Sequence, residues 1–152
     1  MSEAVKVALR EFGDSDYPRL HQWAQTIDST SYMSRYTPVP DKRALWNVIL
    51  VNDIEVGTIW FERTEEVGTV TLGILLGDPA ILGRGIGRRA IVLAIEKLQF
   101  LSNPQIARLH VRKDNARAIR CYEKCGFTVV SSGTRRRGSQ SYEFYRMEKP
   151  LS

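Results

Sequence analysis

The stretch from Gly83 to Gly87 constrains this chain more than any other part of its sequence. It reads "GRGIG", with glycine at every second position, and two arginines and an apolar helical pattern follow it. Glycine has no Cβ atom that would keep a ligand away from the backbone. The first amides of a helix have no partner within that helix and attract anions. The stretch therefore predicts a loop that holds a phosphate group.

Two common phosphate-binding motifs fit this loop poorly. A Walker A loop requires a second glycine five residues beyond the first, where this chain has Arg88. A dinucleotide fingerprint can be placed on Gly85, Gly87 and Ala90, but that motif follows the first strand of a βαβ unit, and three antiparallel strands are predicted before this loop. A tight turn with no ligand is the remaining interpretation at this point.

Residue patterns predict seven strands and an N-terminal helix that follows the first of them. Asp14 or Ser15 is the expected cap of that helix. Asn52 and Asp53 mark the turn of a hairpin, and Gly73 is a candidate bulge in the strand after it. The predicted strands span residues 5–10, 46–51, 55–63, 67–76, 106–111, 127–131 and 141–147.

Two further helices are predicted after the glycine loop. The longer one begins at Ile86 and stops at the Ser-Asn-Pro sequence of residues 102–104. The shorter one is capped by Asp114 or Asn115 and ends at Gly126. This order of elements predicts a single α/β (α+β) domain over residues 1–152, built on a mixed, mostly antiparallel sheet of about seven strands flanked by helices.

Composition and charge exclude few classes of protein. The net charge of +5 is compatible with binding to nucleic acid, with binding to an anionic cofactor, or with no charged ligand at all. Cys121 and Cys125 lie four residues apart on one helix face and are too few for a disulfide framework, which predicts a reducing compartment. The longest aliphatic run, residues 91–95, is far shorter than a membrane span, and no N-terminal signal pattern is present. We expect a cytoplasmic protein with no membrane partner.

The predicted short helix carries a second motif, N-x-x-A-I-x-x-Y-x-x-x-G-F. Its residues are Asn115, Ala118, Ile119, Tyr122, Gly126 and Phe127. Together with the glycine loop at this distance before it, the motif resembles the GNAT acyltransferase superfamily, and the resemblance covers most of residues 48–147. It implies an N-acetyltransferase that moves the acetyl group of acetyl-CoA directly to an amine, without a metal.

The resemblance also implies which residues hold acetyl-CoA. Backbone amides of the glycine loop would wrap the diphosphate, and Leu82 stands where the family usually has glutamine or arginine. The strand before the loop would pair with the pantetheine arm through its backbone, and Asn115 would cap its helix or also contact the cofactor. The implied cofactor-binding residues are Leu75, Leu76, Gly77, Gly83, Arg84, Gly85, Ile86, Gly87, Arg88 and Asn115.

Two catalytic residues follow from the same resemblance. Tyr122 corresponds to a tyrosine that lies beside the coenzyme sulfur and can protonate the departing thiolate. In some members a carboxylate twelve residues before this tyrosine takes the amine proton, and here that position is His110. Its neighbours Leu109 and Val111 occupy the other face of the strand. The alternatives to His110 as the base are Glu62, Asp78, Glu143 or a water molecule.

The acceptor amine is not readable from the sequence. Residues 28–41 would help to select it, and they contain no interpretable motif. The basic run 135–137 is interpreted as a solvated hairpin turn or as a site for an acidic acceptor or a nucleic-acid phosphate. A non-catalytic acyl-CoA-binding or sensor domain is the second hypothesis, and a basic nucleic-acid-binding module is the third. We expect no nucleic-acid partner, and the oligomeric state is open, a homodimer included.

Overall fold

A computed structural model of the chain describes residues 5–26, 36–77 and 84–151. These residues form one seven-stranded sheet and three α-helices. The strands are β1 (Val7–Glu11), β2 (Arg43–Val51), β3 (Ile54–Arg63), β4 (Thr69–Leu76), β5 (Ile106–Arg112), β6 (Thr128–Arg137) and β7 (Gln140–Pro150). The helices are α1 (Tyr17–Thr26), α2 (Ile86–Leu101) and α3 (Ala116–Lys124). No helix in these ranges has the length and apolar character needed to cross a bilayer.

The sheet has the strand order β1-β2-β3-β4-β5-β7-β6. All neighbouring strands are antiparallel except β4 and β5, which run parallel. The connection between these two strands contains α2, as a parallel pair requires. The prediction of a mixed, mostly antiparallel sheet of about seven strands is confirmed.

Each face of the sheet has its own apolar core. The larger core lies beneath α2, whose residues Ala90, Ile91, Ala94 and Leu98 recur at helical spacing and are fully buried. The smaller core lies beneath α1, where Leu20 packs with strand residues of β2, β3 and β4. The two cores place α2 and α1 on opposite faces of the same sheet.

The prediction of a bulge at Gly73 is wrong. The β3–β4 register is continuous there, with Gly73 directly opposite Trp60. The indole ring of Trp60 occupies the space that a Cβ atom at Gly73 would need. The glycine therefore admits a large aromatic ring, while the predicted hairpin turn at Asn52 and Asp53 is confirmed by their positive φ angles of 49° and 68°.

Two other local predictions are also wrong. Asp14 and Ser15 lie within a short 3₁₀ turn before α1, and Asp16 closes that turn by accepting the N–H of Gly13 at 2.9 Å. The basic run 135–137 is the end of β6, because the turn falls later, at Gly138. The last two strands are thus longer than predicted and place basic side chains on the sheet itself.

Candidate active site

The candidate active site lies where β4 and β5 separate. These strands pair only at Thr69–Thr71 with Ile106–Arg108, although both continue beyond those residues. In the described part of the chain, the remainder of β4 has no strand partner on that side. A cavity of about 1120 Å³ opens between the two strands. The sheet therefore has a gap in its middle that can admit a long, thin ligand.

This cavity joins the glycine loop to the short helix α3. Gly85 and Gly87 line it from one side, and Tyr122 lines it from the other. The two motifs that the sequence analysis singled out are therefore parts of one site. Other predicted site residues that line the same cavity are Leu75, Leu76, Arg88, His110 and Asn115.

The start of α2 has the geometry of an anion site. Gly85 precedes the helix with a left-handed backbone (φ 79°), and nothing lies within 4 Å of the place where its Cβ atom would be. The first turn of α2 contains no acidic residue, and Arg88 adds a positive charge beside the cavity. The residues present therefore fit a diphosphate held by backbone amides.

Three of the predicted cofactor residues that the structure describes do not line the cavity. The side chain of Ile86 is buried in the main core, so this residue has only its backbone to offer. Arg84 is exposed beside the loop and does not line the cavity. The N–H of Gly77 donates to the carbonyl of Val56 at 2.7 Å, so the amide of Gly77 is already used. Gly83 lies outside the described residues.

Tyr122 projects from α3 toward the cavity. Its ring packs edge-on against Phe127, with 6.2 Å between the ring centres. Burial raises the pKa of the Tyr122 phenol above its ordinary value, and the neighbouring thiols of Cys121 and Cys125 act in the same direction. The phenol is therefore protonated at neutral pH and can donate its proton to a group in the cavity.

Asn115 has the capping role that the sequence predicted. Its side-chain oxygen accepts the N–H of Ala118 at 3.4 Å and so closes the first turn of α3. Gly126 takes a left-handed conformation (φ 97°) just after the helix, as predicted. These two caps fix the position of the helix, and with it Tyr122.

His110 lies in the middle of β5, directly opposite Arg146 of β7. It faces away from the main core and lines the cavity. Burial, together with the positive charges of Arg135, Arg146 and Arg108, lowers the pKa of His110 to about 4. The imidazole is therefore neutral at pH 7.

Of the three carboxylates that are alternatives to His110 as the base, the structure describes two, and they differ in whether they line the cavity. Glu62 is buried and lines the cavity, and its carboxylate accepts the N–H of Val39. Glu143 does not line the cavity, and its exposed carboxylate lies 3.8 Å from the ammonium of Lys113. Asp78 lies outside the described residues. Glu62 and His110 are thus the two described candidates that reach the cavity.

Both cysteines are free thiols, as predicted. Cys121 is half-buried and lines the cavity, whereas Cys125 is buried at the end of α3. The thiol of Cys125 donates a weak hydrogen bond to the carbonyl oxygen of Arg88, with 3.9 Å between sulfur and oxygen. This contact ties the end of α3 to the start of α2.

The sequence analysis missed a group of cavity residues on the face of the sheet opposite α2. Arg112 could have been found, because it is two residues beyond His110 on the same strand and must share its face. The others come from β7, whose pairing partners the sequence does not reveal. The missed residues are Arg112, Tyr142 and Phe144, and they lie beside Arg135, for which the sequence left open a solvated turn or a site for an acidic acceptor or a nucleic-acid phosphate.

Comparison with family models and with curated proteins identifies acetyltransferases in both cases. A family model described as "Acetyltransferase (GNAT) family" matches residues 6–127. The aminoglycoside N(6')-acetyltransferase type 1 of Klebsiella pneumoniae is 33% identical over 73 residues, which are 47% of this chain and 35% of that protein. The chain therefore covers about a third of the length of this curated relative.

Solved structures share the fold over almost the whole chain. A GNAT-family acetyltransferase from Streptococcus pneumoniae has a TM-score of 0.78 at 18% identity, covering 97% of this chain and 100% of that one. The spermidine N-acetyltransferase from Vibrio cholerae, solved with CoA and spermine, has a TM-score of 0.79 at 18% identity, covering 95% of each chain. At these identities the likeness concerns the fold.

Proposed function

The chain belongs to the acetyltransferase (GNAT) family, and we propose that it transfers the acetyl group of acetyl-CoA directly to a primary amine of an acceptor molecule. The observation that carries this proposal is the single cavity lined by Gly85, Gly87 and Tyr122 at the separation of β4 and β5. The cavity joins a helix start whose free amides suit an anion to a phenol that is protonated at neutral pH, which supports the proposal. The match of the family model to residues 6–127 supports the same reaction.

Acetyl-CoA would supply an acetyl thioester. Its acetyl C–S bond would break as the C–N bond to the acceptor amine forms, and CoA would leave as the thiol. The backbone amides around Gly85 and Gly87, with the charge of Arg88, would hold the diphosphate. The backbone of Leu76 faces the gap and offers hydrogen bonds to the pantetheine arm, whereas the backbone groups of Leu75 point toward Thr58 of β3. The amide of Gly77 is used elsewhere, which limits that residue to its carbonyl group.

Two side chains would move protons in this reaction. Tyr122 holds a proton that can pass to the departing sulfur, since its raised pKa keeps the phenol neutral. His110 is neutral at pH 7, and its lone pair on Nε2 accepts a hydrogen bond from Arg146 at 3.4 Å, so Arg146 must release this nitrogen before it can accept the amine proton. Glu62 is the second candidate for that role, because its buried carboxylate lines the same cavity.

The test is an assay for free CoA with acetyl-CoA and a panel of amines, with the acetylated product identified by mass. Release of CoA that depends on the amine supports the proposal. Binding of acetyl-CoA without release in the presence of any amine would instead support the second hypothesis, a non-catalytic acyl-CoA sensor. The cytoplasmic location, the absence of a nucleic-acid partner and a homodimer stay predictions from the sequence.

A further inference from the structure

The cavity has a wall of arginine and aromatic side chains on the face of the sheet opposite α2. We call this the arginine–aromatic wall, and it consists of Arg112, Arg135, Tyr142 and Phe144. The guanidinium of Arg112 lies 4.8 Å from the ring centre of Tyr142, and that of Arg135 lies 5.0 Å from the ring centre of Phe144. Each arginine therefore rests on an aromatic face, which limits its freedom before any ligand arrives.

Strand pairing explains why these four residues come together. Arg112 of β5 is opposite Phe144 of β7, and Arg135 of β6 is opposite Tyr142. Directly opposite residues of an antiparallel pair project to the same face. Three neighbouring strands thus build one surface, next to His110, which packs edge-on against Phe144 at 5.6 Å between ring centres.

Arg135 has no acidic partner within salt-bridge distance among the described residues. Arg108, by contrast, is neutralised by both Glu66 and Glu148, at 3.1 and 2.7 Å. The charge of Arg135 is felt inside the site, because it contributes to the lowered pKa of His110. Arg112 of the wall pairs with the exposed carboxylate of Asp114 at 3.1 Å, so Arg135 carries the charge of the wall that no described carboxylate balances.

The cavity as a whole has the same sign of charge. Among the residues that the structure describes, eight arginine and lysine side chains line it, against three carboxylates. Four of the basic residues, Arg88, Arg117, Arg120 and Lys124, come from α2 and α3, on the side of the glycine loop. Arg112 and Arg135 are on the opposite face of the sheet, because the residues that alternate with Arg112 on β5 are buried beneath α2. The wall is thus separate from the anion site at the start of α2.

We propose that the acceptor is a primary amine that also carries an oxyanion, a carboxylate or a phosphate, which the arginine–aromatic wall binds through Arg135 and Arg112. This inference rests on the proposed acetyl transfer. A guanidinium held on a ring matches the planar, two-oxygen geometry of a carboxylate or phosphate. The same wall disfavours acceptors with several positive charges, because they would bring ammonium groups against two arginines. The aminoglycoside and spermidine acetyltransferases found by comparison are named for acceptors of that kind.

The experiment compares matched amines in the assay for CoA release. β-Alanine is compared with β-alaninamide, and O-phosphoethanolamine with ethanolamine, with spermidine as the polycation. Values of kcat/KM are corrected for the fraction of free amine at the assay pH. The two anionic members separate a preference for carboxylate from one for phosphate. We expect at least one anionic amine to exceed its neutral partner and spermidine.

Arg135→Gln and Arg136→Gln form the matched pair of variants. Arg136 is the next residue of β6, is exposed and does not line the cavity. We expect Arg135→Gln to lower kcat/KM for the anionic amine by roughly 10- to 100-fold, as loss of a charged hydrogen bond does. The affinity for acetyl-CoA should not change in Arg135→Gln, and the rate with the neutral amine should change much less than the rate with the anionic amine, since only the latter loses a binding contact. Arg136→Gln should resemble the native protein with all substrates.

Three outcomes would overturn the inference, and they differ in what they say about acetyl transfer. Faster turnover of spermidine or of the neutral amines contradicts the anionic acceptor while leaving acetyl transfer in place. Weaker acetyl-CoA binding by Arg135→Gln assigns the wall to the coenzyme phosphates instead. Binding of acetyl-CoA with no turnover of any of these amines contradicts the transfer reaction itself, and the inference fails with it.

Discussion

The Nε of Arg146 donates a hydrogen bond to Nε2 of His110 across the β5–β7 pair, at 3.4 Å. This bond uses the lone pair of Nε2 and leaves the imidazole proton on Nδ1. The adjacent guanidinium also opposes a positive charge on the ring. Burial of the ring, the charge of Arg135 and then the charges of Arg146 and Arg108 hold His110 in its neutral form, with a pKa of about 4.

The first prediction concerns the titration of His110. An isolated histidine titrates near pH 6.5, whereas burial and the nearby arginines should move the midpoint for His110 to about 4. Arg146→Gln removes one of these positive charges, which favours the imidazolium form and so raises the pKa. NMR titration, with the His110 signal assigned by means of His21→Gln, measures the pKa of His110 in the native protein and in Arg146→Gln. A midpoint near 6.5 in the native protein would contradict the account.

The second prediction concerns His110 as the base. Substitution by glutamine, His110→Gln, should lower kcat by roughly a hundredfold or more, as loss of a general base does. The neutral imidazole is present above pH 4, so the acidic limb due to His110 should lie near that pH and vanish in the variant. The pH profile is corrected for titration of the acceptor amine. If kcat and the profile are unchanged while Glu62→Gln is inactive, the base is Glu62.

The third prediction concerns Tyr122 as the acid. Tyr122→Phe keeps the ring that packs on Phe127 but removes the proton. We expect kcat to fall by roughly a hundredfold, while the affinity for acetyl-CoA and the thermal midpoint stay close to native. Tyr145→Phe is the matched control, because Tyr145 packs against the main core and does not line the cavity. Equal activity of the two variants would exclude Tyr122 as a proton donor.

The fourth prediction concerns stability at two glycines of the site. Gly73→Ala forces a methyl group into the ring of Trp60, within the smaller core, and should cost about 1–3 kcal/mol of unfolding free energy. Gly87→Ala meets only ordinary contacts, the nearest being the Cys121 sulfur at 3.5 Å. It should gain up to about 1 kcal/mol, since alanine favours the helix. Chemical denaturation measures both, and equal stability of the two variants would contradict the packing described.

Signals that are local in the chain predicted their structures well. The limits of α2 followed from the glycine loop before it and the Ser-Asn-Pro sequence after it, and those of α3 from Asn115 and Gly126, because such signals act within a few residues of the helix end. The hairpin at Asn52 and Asp53 followed from turn chemistry in the same way. The candidate cofactor and catalytic residues came from resemblance to a family, and most of those in the described part of the chain line one cavity.

Features that depend on distant partners could not be predicted. The turn before α1 is set by Asp16, which is also held by Arg10 of β1 at 2.7 Å, a contact that no local pattern reveals. The arginine–aromatic wall exists because β7 lies between β5 and β6. Strand order of this kind is decided by packing of the whole sheet, so the sequence leaves open whether Arg135 lies in a solvated turn or in a site for an acidic acceptor or a nucleic-acid phosphate.

The central claim is that the loop at Gly85 holds the diphosphate of acetyl-CoA, and calorimetric titration at moderate salt tests it most directly. Gly85→Glu places a side chain and a negative charge at a left-handed glycine with open space. Gly138→Glu makes the same change at a second left-handed glycine with open space, in the β6–β7 turn away from the cavity. The account predicts one-site binding by the native protein and by Gly138→Glu, and none by Gly85→Glu. Absence of binding by the folded native protein, or equal binding by both variants, would contradict it.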